Sequence, residues 1–157
     1  MPSAAPNSSG AESPRLKAPA NATDCHIHIY DPRFEPPVTE PSNATVQDYR
    51  LLQKRIGLKR VVIVTPTNYV TDNSVTIDAI KQLGANARGI AVVRPTVTDA
   101  VLKSLSDGGI RGIRFTVGNP QTAVVSIDMI EPLAKRIADL GWHVQLHMPA
   151  QAIVDSE

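Results

Sequence analysis

Hydrophobic and polar positions along the chain change period several times, and each change marks an element. Between residues 24 and 31 the pattern alternates: Asp24, His26, His28 and Tyr30 share one parity, and Cys25, Ile27 and Ile29 the other. Read as a β-strand running through Asp31, this segment stands two imidazoles side by side on one face, because side chains alternate with period two. Pro32, Pro36, Pro37 and Pro41 then forbid regular structure from Pro32 to Asn43, leaving a long loop at the carboxyl end of the strand. Thr45 opens a predicted helix with Asp48 as its capping-box partner; Tyr49, Leu52 and Ile56 recur at helical spacing until Gly57. Arg60 to Thr65 is a β-branched apolar run without alternation, as expected of a parallel strand covered on both faces, and Pro66 ends it.

The same sequence of signals recurs. Ser74 to Leu83 reads as a helix closed by Gly84, Gly89 to Val93 as a strand, and Thr98 as the cap of a helix stopped by Gly108 and Gly109. Ile110 to Phe115 reads as strand four, and Ser126 or Asp128 begins a helix that tolerates Pro132 only in its first turns and ends at Gly141. Trp142 to Met148 is strand five. Strands alternating with amphipathic helices imply successive right-handed βαβ units and a parallel sheet, either an open doubly wound sheet or a (β/α)8 barrel. In strand five, His143, Gln145 and His147 share one parity and the apolar residues the other, which suits a barrel whose outer wall packs on helices and whose inner face carries a site. No glycine-rich phosphate loop follows strand one, where the residues are Asp31-Pro32-Arg33-Phe34, so a dinucleotide-binding sheet lacks its fingerprint. The expected fold is α/β, the N-terminal part of a (β/α)8 TIM barrel with about five βα units.

Composition narrows the function classes. A formal net charge of +1, from 16 Lys and Arg against 15 Asp and Glu, supplies no basic field for nucleic acid or an anionic membrane surface. Residues 1–22, rich in Pro, Ser, Ala and Asn, read as a disordered leader, with residues 23–157 as the partial barrel. They lack the apolar middle of a secretory signal, and a cytoplasmic location is expected. The single cysteine, Cys25, falls on the apolar parity of the first strand and is expected to be a buried structural thiol.

Asp24 to Asp31, Gly112 to Phe115 and Gly141 to His147, in that order on alternate strands, resemble the amidohydrolase superfamily. Within it they are most similar to the amidohydrolase-2 type, the branch that includes 2-pyrone-4,6-dicarboxylate lactonase and sugar lactonases. The resemblance implies a hydrolase in which His26, His28 and His147 surround the reaction centre, as catalytic groups and as ligands of a divalent ion such as Zn²⁺. Some members of the branch are thought to act without a tightly bound metal, so both modes stay open. It also implies that a histidine of strand six and an aspartate of strand eight complete the site, the aspartate activating water. Arg114 matches an arginine that holds a substrate carboxylate, an internal salt bridge being the alternative, while the following Val117-Gly118-Asn119-Pro120 carries no charge for a second carboxylate. Tyr30 and Thr65, with Thr67 and Asn68, are further candidates for substrate contact. Arg94 reaches either the barrel mouth or the surface, Asp31 reads as a turn residue, and His143 and Gln145 read as packed barrel residues, with orientation of His147 as the alternative for Gln145.

The expected substrate is a small carboxylated lactone or sugar-acid ring ester. The alternatives are a zinc-dependent decarboxylase of an aromatic or unsaturated acid, and an inactive half-barrel that pairs with another chain, a homo-oligomer included. A complete (β/α)8 barrel needs roughly 250 residues, so a sequence of 157 residues ending after strand five reads as a fragment or truncated product that is expected to be inactive alone.

Overall fold

A computed structural model of the chain describes residues 12–35, 43–117 and 124–155. Local signals set most of the elements. Thr45 and Asp48 form the predicted capping box: the Asp48 N–H donates to Thr45 Oγ1 and the Thr45 N–H to Asp48 Oδ2, at 3.4 and 2.9 Å. They start α1 (Val46–Ile56), and Gly57 closes it in the left-handed region at φ 76°. The further helices are α2 (Ser74–Leu83), α3 (Asp99–Asp107), capped by the Thr98 hydroxyl, α4 (Ile130–Ala138) and the short α5 (Ala150–Val154). A 3-10 turn at Ile127–Met129 leads into α4, so the helix starts slightly later than expected and Pro132 sits in its first turn, where a missing N–H costs nothing.

The strands are β1 (Thr23–Ile27), β2 (Arg60–Val64), β3 (Ala87–Ala91), β4 (Ile110–Thr116) and β5 (His143–His147). All pairings are parallel, and the spatial order is β1-β2-β3-β4-β5. A doubly wound sheet reverses its strand order at a switch point; a sheet that never reverses winds in one direction, which is the barrel alternative. The curl is visible in a single contact: Gln145 on β5 comes within 3.4 Å of His26 on β1. Four strand spacings in a flat sheet would hold the two edges roughly 19 Å apart. The chain therefore forms the five-stranded N-terminal part of a (β/α)8 barrel.

The outer face of the sheet holds the core. Ile63, Ile113 and Phe115 pack in one buried cluster with Val75, Ala79 and Ile80 of α2, Leu102 of α3, and Leu133 and Ile137 of α4. Gly112 permits the neighbouring strands to approach: a Cβ there would lie 2.6 Å from the His143 carbonyl oxygen.

Four expectations are corrected. The first strand stops at Ile27 rather than running to Asp31, because its register against β2 breaks between Asp24 and Ile27; Tyr30 instead makes an antiparallel bridge to Ala44. The third strand spans Ala87–Ala91 rather than Gly89–Val93. Val92 leaves the ladder because the Asn73 side chain takes both its N–H and its C=O, each at 2.9 Å. Cys25 is exposed, not buried, since β1 is the sheet edge. On β5 the apolar parity is only partly covered: Trp142 is buried but Leu146 is 47% exposed. The leader predicted for residues 1–22 lies outside the described residues through 11, and 12–22 contain no helix or strand; most of the Pro32–Asn43 loop and the segment after Val117 also fall outside.

Candidate active site

Parity brings His26, His28 and Tyr30 to the inner face even though the strand ends between them. The His26 and His28 rings stand edge to face with centroids 5.0 Å apart, and Tyr30 follows at 6.4 Å from His28. The His28 ring is fixed by the backbone of the next strand: its Nδ1 lies 2.8 Å from the Val64 carbonyl oxygen. A carbonyl can only accept, so Nδ1 carries the proton and Nε2 keeps its lone pair. Tyr30 is held on two sides, donating through its hydroxyl to Asn68 Oδ1 at 3.3 Å and stacking on Tyr69 at 6.2 Å. Val70, which follows these two partners in the chain, adopts φ 56°, ψ −97°, rare for a β-branched residue.

The inner face is electropositive. Burial lowers the pKa of His26, helped by the charges of Arg114 and His147 and opposed by Asp24. For His28 burial again dominates; the bond to Val64 opposes it, and the charges of His26, Arg114 and His147 add to the lowering. Arg114, on β4, is only 6% exposed, and its Nε has no hydrogen-bond partner. None of the ion pairs among the described residues includes it. Burial lowers its pKa, with Tyr30 opposing, while burial raises that of Tyr30. The neighbouring strand sets Gln145 beside Arg114 and His147 beside Thr116.

Thr65 stands apart from this group. It is fully buried, with its hydroxyl 2.8 Å from Thr76 Oγ1 and 2.9 Å from Asn73 Oδ1, so it braces β2 against α2 and its hydroxyl is not turned to the inner face. Arg94 and His143 are exposed, and Asp31 is a turn residue bound by Arg33, which also pairs with Asp78 of α2. Gln145 reaches His26 rather than His147. Thr116, not singled out from the sequence, carries a buried hydroxyl oxygen without a partner; its shared parity with Arg114 on strand four was the available signal.

Among the described residues no group of three or more His, Cys, Asp or Glu side chains is placed to hold a metal ion. His26, His28 and His147 supply nitrogen donors but not a closed ligand set.

The family model for amidohydrolases matches residues 23–156. The chain belongs to the amidohydrolase family. It is 36% identical over 142 residues to a 2-pyrone-4,6-dicarboxylate hydrolase of Comamonas testosteroni, covering 87% of this chain and 47% of that protein. It is 31% identical over 142 residues to a 4-sulfomuconolactone hydrolase of Rhizobium radiobacter, covering 86% and 47%. A solved structure of a probable 2-pyrone-4,6-dicarboxylic acid hydrolase from Acinetobacter baumannii, with citric acid bound, superposes with a TM-score of 0.73 at 28% identity, covering 86% of this chain and 52% of that one. This amidohydrolase chain thus spans about half the length of the relatives it matches. Metal dependence is common in the family. Among the described residues no helix is long and apolar enough to cross a membrane.

Proposed function

We propose that this chain carries the substrate-anchoring part of a lactone hydrolase that acts on a carboxylated ring ester. One observation carries the reading: Arg114 is buried with an unpartnered Nε on an inner face otherwise lined by imidazoles, and a buried guanidinium calls for an anion. A substrate carboxylate supplies it, in the planar geometry a guanidinium fits best. The relatives' names, two hydrolases of a dicarboxylate and a sulfonated lactone, and the citrate-bound relative point to the same chemistry.

Hydrolysis adds the oxygen of water to the ring carbonyl carbon and breaks the ring C–O bond, giving an acid and a hydroxyl group. With its Nδ1–H held by Val64, His28 offers an Nε2 lone pair, an acceptor for a proton of the incoming water. Its lowered pKa keeps that lone pair free at neutral pH. The charge of Arg114 favours the negative charge that develops on the carbonyl oxygen as well as the carboxylate. Tyr30, braced by Asn68 and Tyr69, borders the ring.

The test, made on this chain completed with the remaining barrel strands of a relative, is ring opening of 2-pyrone-4,6-dicarboxylate, followed by loss of pyrone absorbance, with calorimetric binding of the same compound. Arg114→Ala is expected to weaken binding, and His28→Ala to spare binding but lower turnover by about 10²-fold or more. Undiminished turnover in both variants would sink the assignment.

A further inference from the structure

A cavity of about 480 Å³ opens on the outer side of the sheet, between α2 and α3, apart from the imidazole-lined face. Its lining is mostly apolar: Ile77 comes from α2, Val101 and Leu105 from α3, and Val93 and Val97 from the segment that joins β3 to α3. The walls are fixed in advance. The Asn73 side chain ties the start of α2 to both backbone groups of Val92, each at 2.9 Å. From the other side Arg136 of α4 donates to the Pro95 and Val97 carbonyl oxygens, at 3.2 and 2.7 Å. A preformed, mostly apolar hollow with a few polar groups is the usual form of a small-molecule site, whose volume runs to ~300–1,000 Å³.

Charge then selects the ligand. Arg94 is the only charged residue in the lining, and its guanidinium takes part in none of the ion pairs among the described residues. The acidic neighbours are engaged elsewhere: Asp72 accepts from the Ser74 N–H at 2.9 Å, and Asp99 pairs with Arg136 at 2.6 Å. Helices α2 and α3 begin beside the cavity, at Ser74 and Asp99, and present the positive ends of their dipoles to it. One guanidinium in an apolar lining matches one negative charge, whereas a dianion would leave charge uncompensated against hydrocarbon. We propose that this cavity binds a monocarboxylate with a compact apolar body, its carboxylate on Arg94 and its hydrocarbon between α2 and α3. The site stands apart from the lactone-hydrolase reading: Arg114 serves the inner face and Arg94 the outer one.

The probe is octanoate, titrated into the ¹⁵N-labelled 157-residue chain and followed in the backbone ¹H–¹⁵N spectrum. Saturable shifts are expected at Ile77, Val97 and Val101, with a Kd in the millimolar range or tighter, as a ligand of about ten non-hydrogen atoms allows. Octanamide, of the same length but neutral, is expected to bind about fivefold more weakly or worse. Arg94→Gln should remove that preference. Val101 is 47% exposed, so Val101→Glu leaves the fold intact and is expected to abolish octanoate binding, while Arg114→Met retains it. Equal binding of octanoate and octanamide to the unmodified chain would overturn the carboxylate assignment. Saturable shifts absent from the cavity, or found at Tyr30 and Arg114 in their place, would overturn the site itself. Cavity signals that broaden with protein concentration before any octanoate is added would do the same, since a second copy of the chain would then be the occupant.

Discussion

The two faces of the one sheet obey different rules. On the outer face helices pack on β2 to β5, and most buried polar groups there are paired: Thr65 binds Thr76 and Asn73, and Asn73 binds both backbone groups of Val92, although the buried Trp142 Nε1 has no partner. On the inner face Arg114 Nε, Thr116 Oγ1 and Gln145 Oε1 are buried without partners. A buried polar atom left unpaired costs about 1–3 kcal/mol, so such atoms collect where something other than stability holds them. The same backbone thus carries packing on one parity and unsatisfied chemistry on the other. Three of the four unpaired buried side-chain atoms among the described residues lie on the parity that carries the candidate site.

The largest expected effect tests the outer face. Phe115, 1% exposed, should cost about 3–5 kcal/mol when changed to Ala, read as a shift of the urea unfolding midpoint. Its neighbour in sequence faces the other way, and Arg114→Met should behave in the opposite sense. Removing an unpaired buried charge is expected to leave stability unchanged or raise it, while carboxylate binding weakens by about 1.5–3 kcal/mol, roughly tenfold or more in Kd. Equal destabilisation by the two variants would erase the distinction between the faces.

A smaller effect comes from pH. His26 and His28 have pKa values lowered from an ordinary 6.5, so the unfolded chain binds more protons than the folded one as the solution becomes acidic. Stability from this source is fully present above about pH 6.5 and is lost as the pH falls through the lowered folded values. Thermal unfolding midpoints should fall across that window, and replacing both histidines with Gln should flatten the slope.

What was legible in the sequence was local. The Thr45 cap, the Asp48 partner and the Gly57 stop lie within a dozen residues, and α1 and α2 emerge where the pattern places them. Parity set His26 and His28 on one face of the first strand and Gln145 and His147 on one face of the fifth, while Arg114 entered through the family resemblance. Contacts between distant residues were not legible. Asn73 captures Val92 from 19 positions away and pulls the end of β3 back by two residues. The exposure of Cys25 follows from β1 lying at the sheet edge, and the partner of Gln145 from the curl, neither of which a strand's own pattern records.

Val70 shows how such a site resists improvement. Its backbone conformation suits glycine, and a strained residue of this kind costs on the order of 1–3 kcal/mol. Selection for heat resistance alone would therefore reward Gly at position 70. The same exchange would free the turn that holds Tyr69 against Tyr30 and Asn68 at the Tyr30 hydroxyl, so a population bred only for durability would drift away from a defined ring pocket.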